Sequence, residues 1–83
     1  MNKSMEAERL TLDMIDTDET AIITKLNTQG GMRRRLLDIG MIEGTNIRCL
    51  FRRPSGDPTA YLIRGAVIAL RSEDSHSVEV MRI

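Results

Sequence analysis

Residues 32–45 constrain the fold of this chain more than any other stretch. Met32, Leu36 and Ile39 recur at helical spacing, so a short helix here has one apolar face, while Arg33, Arg34, Arg35 and Asp38 occupy the rest of its surface. Gly40 marks the stop. Helices commonly end on a left-handed residue, a backbone state open to glycine and resisted by residues with a Cβ. With Gly40 in that place, Met41 falls where a Schellman ending folds an apolar side chain back onto Leu36. Glu43-Gly44 then reads as a turn, and Asn46 opens a strand.

The rest of the chain reads as short strands that this helix would plug or bridge. Residues 1–9 are polar and are expected to form a flexible N-terminus. Leu10, Leu12, Met14 and Ile15 are the first apolar anchors, and Asp16-Thr17-Asp18-Glu19 is a turn. Residues 20–26 are rich in β-branched side chains and predict a strand with Ile22, Thr24 and Leu26 on one face. Residues 46–52 alternate, with Ile47, Cys49 and Phe51 pointing one way and Arg48, Leu50 and Arg52 the other. Pro54-Ser55-Gly56-Asp57-Pro58 is a strong turn, because proline presets φ and glycine supplies positive φ. Two further strands, residues 59–64 and 66–71, flank Gly65. Ser72 is expected to cap a short helical turn with Ser75 near the capping-box position, and residues 77–83 form a last strand with Val78 and Val80 inward. Five short strands between turn signals predict a mainly β fold closed into a small barrel, a single domain over residues 10–83.

Charge narrows the function classes. Twelve Lys and Arg balance twelve Asp and Glu, so a globally basic nucleic-acid binder is not indicated. The distribution is uneven. Glu6, Glu8, Asp13, Asp16, Asp18 and Glu19 face Arg9 alone near the start, whereas Arg33, Arg34, Arg35, Arg48, Arg52, Arg53 and Arg64 outweigh Asp38, Glu43 and Asp57 in the middle. That asymmetry favours an oriented interaction surface. The aromatic residues are Phe51 and Tyr61, too few for a base-stacking platform or for a groove that takes proline-rich peptides. Cys49 is the one cysteine, which excludes an internal disulfide and fits a reducing cytosol. No apolar run reaches the length of a membrane span, and the start of the chain has no signal-peptide core. A cytoplasmic chain with no direct membrane insertion is therefore expected.

The residues also resemble a known family. Arg35-Leu36, the stop at Gly40, Gly44-Thr45, the turn of residues 54–58, Gly65, and Ala69-Leu70-Arg71 with Glu73 look in order and spacing like the FeoA family, small proteins of bacterial ferrous-iron transport. The resemblance runs from about residue 12 to residue 83. It implies an SH3-like β-barrel carrying a helix, and as partner FeoB, a membrane iron transporter with a cytosolic GTP-binding domain. Three positions depart from the pattern: Asp16-Thr17-Asp18-Glu19 stands where glycine is usual, Ser75 where alanine is expected, and Glu43 where proline is common. A related domain ends iron-dependent repressors. No helix-turn-helix precedes this one, so a stand-alone protein is expected.

Candidate sites follow from residue chemistry. A ferrous site wants several histidine or carboxylate ligands. His76 is the one histidine, and with Glu73, Asp74 and Glu79 it forms at most a weak ligand cluster, so no metal site or cofactor is expected within one chain. A metal shared between two chains stays open. Cys49, mid-strand beside apolar neighbours, reads as a buried small hydrophobe rather than a nucleophile, and no enzyme is expected. Arg33 and Arg34 are the surface candidates for docking a partner, or for reaching a nucleotide as an arginine finger. Arg35 is expected to lay its stem on the barrel and pair with Asp38 or Glu73. Met41 is a core filler or an interface residue, and is named with Arg33 and Arg34 as partner-binding. The expected function is an accessory or regulatory protein of ferrous-iron uptake acting through contact with FeoB. The alternatives are a metal-responsive or metal-carrying module and a nucleic-acid-binding barrel.

Overall fold

The computed structural model describes residues 10–54 and 56–83; the expected flexible N-terminus, residues 1–9, lies outside them. In chain order come β1 (Leu10–Thr11), a 3-10 turn (Leu12–Met14), β2 (Thr20–Leu26), helix α1 (Gly30–Asp38), β3 (Asn46–Arg52), β4 (Thr59–Ile63), β5 (Ala66–Leu70), helix α2 (Ser72–Ser75) and β6 (Val78–Arg82). The strands form one six-stranded sheet in the order β1-β6-β2-β3-β4-β5, antiparallel at every pairing.

The sheet wraps around one core, and the 3-10 turn closes the wrap from within. The Tyr61 hydroxyl on β4 reaches the carbonyl of Leu12 at 3.5 Å. The Arg52 guanidinium on β3 donates to the carbonyl of Asp13 at 2.8 Å and to that of Ile15. Tyr61, Leu12, Ile15, Ile23, Ile47 and Val78 are buried at the centre. The barrel is SH3-like but, among the described residues, is not closed by backbone pairing. β1 and β5 are its two edges, and β1 is a strand that the apolar anchors Leu10 and Leu12 did not reveal.

Two bulges reverse expected faces. In β2, Ile23 pairs with Val80 and Lys25 with Glu79, so Thr24 is an extra residue opposite a single step of β6. Ala21 and Ile23 are buried before the bulge, and Leu26 packs on the core after it. The expected face of Ile22, Thr24 and Leu26 is thus replaced by one that changes phase midway. In β3, Cys49 pairs with Tyr61 and Phe51 with Ala60, which leaves Leu50 extra. Ile47 and Cys49 are buried as expected, but the slip turns Phe51 out to 55% exposure.

The cap of α2 also differs. Neither Ser72 nor Ser75 caps it with a side chain. The carboxylate of Asp57, in the proline-rich turn, accepts from the backbone N–H of Ser72 at 2.7 Å and from its hydroxyl at 3.2 Å. Ser75 is buried and donates its hydroxyl to the carbonyls of Arg71 and Ser72, so a small side chain suits the position where alanine was expected. Asp18 has a φ of 69°. It occupies the left-handed state that glycine would take in that turn, which aspartate tolerates better than most residues.

Candidate functional site

The candidate site is built on α1, whose ending matches the expected one bond for bond. Gly40 has a φ of 99°, its N–H donates to Leu37 at 3.0 Å, and the N–H of Met41 donates to Leu36 at 2.9 Å. These are the two bonds of a Schellman motif. The motif folds Met41 inward to full burial beside Leu36. Met41 is therefore a core residue; as a partner-binding residue it is corrected, because the helix ending that makes it adjacent to the surface sequence also turns its side chain away from solvent.

The three arginines separate by helical geometry, since successive residues point about 100° apart. Arg33 lies on one flank. Its Nη1 donates to the carbonyl of Leu26 at 2.8 Å and of Thr28 at 3.4 Å, so this exposed residue also ties the helix to the end of β2. Arg34 points outward, and no partner holds it among the described residues. Arg35 lies on the opposite flank, toward β5, where it lines a cleft with Met32, Ile39 and Val67. Neither Asp38 nor Glu73 pairs with it among the described residues, contrary to expectation.

Two apolar residues complete the Arg33 flank. Leu37 and Ile42 are 38% and 48% exposed, and they share a shallow depression with Lys25, Leu26, Arg33 and Glu43. The apolar centre is rimmed by Lys25, Arg33 and Glu43, and an adjoining depression that shares Arg33 and Leu37 adds Arg34 and Asp38, the make-up of a small docking patch. Leu37 and Ile42 carried a signal that sequence reading passed over: each is apolar yet falls outside the stripe of Met32, Leu36 and Ile39.

The metal-ligand candidates do not assemble. The Nδ1 of His76 lies 3.2 Å from a carboxylate oxygen of Asp13, a pairing between the end of α2 and the neighbouring 3-10 turn. Glu79 accepts from the Asn27 amide at 2.7 Å, and Glu73 is exposed on α2. Among the described residues, no three His, Cys, Asp or Glu side chains gather where they could hold a metal ion. Cys49 is fully buried, and that burial pushes its thiol above the ordinary range, the opposite of what activates a nucleophile. Among the described residues no helix is long and apolar enough to cross a membrane.

Comparison with known proteins agrees with this architecture. A sequence model of the FeoA domain matches residues 10–82. A curated relative from Porphyromonas gingivalis, an Fe(2+) transport protein A/Fe(2+) transporter FeoB fusion protein, is 32% identical over 69 residues, covering 83% of this chain and 8% of that one. The chain thus spans a small fraction of that relative's length. The solution structure of a FeoA protein from Chlorobium tepidum superposes with a TM-score of 0.84 at 24% identity, over 89% of this chain and 70% of that one. A crystal structure of FeoA from Stenotrophomonas maltophilia, complexed with zinc and described as a prokaryotic SH3 domain protein, superposes with a TM-score of 0.78 at 23% identity, over 86% of this chain and 88% of that one.

Proposed function

The chain belongs to the FeoA domain family, and from that premise we propose that it is a non-enzymatic accessory and regulatory protein of ferrous-iron uptake that docks on a FeoB-type transporter from the cytoplasmic side. The observation that carries this reading is the fusion relative, in which a domain similar to this chain is joined covalently to the transporter. Nature joins domains in one chain where contact between them is useful, because a tether replaces a bimolecular encounter with an intramolecular one. The patch of Arg34, Leu37 and Ile42 supplies a surface of suitable chemistry: two apolar side chains for burial and fixed positive charge for orientation.

Arg34→Glu tests the proposal most cleanly, because Arg33 also ties the helix to β2. The variant should melt like the parent, within about 1 kcal/mol, since an exposed unpaired charge contributes little to stability. Its association with the transporter's cytosolic GTP-binding domain should weaken, and the loss should be larger at low salt, where screening is weakest. A folded Arg34→Glu protein that associates like the parent at both ionic strengths would reduce the patch to a solvated helix face.

A further inference from the structure

β5 is an edge strand, and its open side faces a cleft rather than solvent alone. The cleft, about 280 Å³, has β5 as one wall, with Val67, Ile68 and Ala69, and the flank of α1 as the other, with Met32, Arg35 and Ile39. Val67 is 65% exposed, and Ala69 is exposed beside it.

The backbone of β5 is arranged for another strand. Arg64 and Gly65 have φ of 50° and 83°, the two left-handed residues of a type I′ hairpin turn, and Ile63 pairs with Ala66 directly across it. In such a hairpin Ala66, Ile68 and Leu70 spend their N–H and C=O groups on β4. The groups of the alternate residues, Val67 and Ala69, point to the open edge. No backbone bond takes them up among the described residues.

Charge selects the occupant. Arg35 lines the cleft, Arg64 precedes β5 and Arg71 follows it. None of the three guanidinium groups has an acceptor among the described residues, and no carboxylate lines the cleft. We propose that the β5 edge and the cleft beside it are a docking groove for an extended, acidic segment of a partner protein, which adds as a strand to β5. Its backbone would pair with Val67 and Ala69, alternate apolar side chains would enter between β5 and α1, and its carboxylates would meet Arg35, Arg64 and Arg71. A second copy of this chain fits poorly. Antiparallel pairing of β5 with itself sets Arg64 of one copy against the region of Arg71 in the other, a like-charge contact that strands avoid. The groove lies on the flank of α1 opposite Arg33, so this inference goes beyond the transporter contact proposed above and is tested without the transporter.

The test titrates the protein with a capped peptide of alternating valine and glutamate, about six residues long, the length of an ordinary strand. The readout is backbone amide shifts and amide exchange. Binding should appear by about 1 mM peptide, with shifted and slowed amides at Val67 and Ala69 and little change in β1. The lysine counterpart of the peptide should fail to bind. Ala69→Pro removes an outward N–H, at a position an edge strand tolerates, and should abolish binding with the melt retained. Arg35→Glu should weaken binding about tenfold without touching the strand edge, which keeps the proposal testable if the proline variant does not fold. Absence of binding, equal binding of the lysine peptide, perturbation centred on Arg34 or β1, or dimerisation through β5 would each overturn the groove. An Ala69→Pro protein that loses the peptide but still associates with the transporter domain would separate the two surfaces.

Discussion

Gly40 is held bare by its backbone conformation. Its φ of 99° is a state that alanine enters only with strain. A Cβ built there would also meet the Cδ of Arg64, whose stem the hairpin tip lays across the helix ending, but that side chain is exposed and flexible and can swing aside at little cost. Gly40→Ala should therefore destabilise by somewhat more than about 1 kcal/mol. Most of that cost should persist when the same change is made in an Arg64→Ala background, because it arises from the backbone rather than from the movable arginine stem. Thermal melts of the four proteins check both statements, and an unchanged melting temperature for Gly40→Ala would remove the left-handed stop from the account. The φ was legible in the sequence, since glycine after an apolar helical stripe has few other reasons to be there. The Arg64 stem was not, because nothing local to residue 64 says which part of the barrel its hairpin will touch.

At the scale of elements, Leu36 is the main anchor of α1, with Met32 packing partly on the core and Arg33 tying the helix to the end of β2. Leu36 is its single fully buried residue, at 2% exposure, while Leu37 next to it is 38% exposed. Leu36→Ala should cost roughly 2–5 kcal/mol, whereas Leu37→Ala should cost well under that and show itself in partner binding instead. Equal destabilisation by the two changes in denaturant melts would mean that the helix sits differently on the barrel. Helix, turns and strand boundaries could be read from periodicity and from glycine and proline, which act over a few residues. The faces of β2 and β3 could not. Thr24 and Leu50 are ordinary strand residues, and each becomes a bulge only because of the register its neighbour strand imposes, so strict alternation misassigns one side of each bulge: the buried Ala21 and Ile23 before Thr24, and the exposed Phe51 after Leu50. Likewise Asp57 caps α2 from fifteen residues away, a partnership that reading Ser72 and its neighbours cannot find.

For the whole molecule, folding stability per-residue averages suggest roughly 4–12 kcal/mol, so modest electrostatic effects show in its pH profile. Glu19 is the carboxylate to watch. The backbone N–H of Asp16 at 2.8 Å, and then the Arg82 guanidinium, hold its carboxyl below the ordinary carboxylate range. A lowered folded pKa favours the native state fully above the unfolded value, and that advantage is lost as pH falls through the folded value. Glu19→Gln should accordingly be less stable than the parent at neutral pH, and the two should converge in acid. Denaturant melts at both conditions decide it; a gap that does not close would assign the difference to packing.

The pairing of β1 with β6 has a consequence for how such a domain can be carried. Leu10 lies opposite Val80, so the chain enters and leaves the fold side by side. A linker attached at either end would then suspend the domain from nearly the same point, and the local concentration it presents to a neighbour would depend on linker length far more than on which terminus is joined. Strand β5 and helix α1 take no part in that attachment point, so a tethered domain keeps both of them available as it swings.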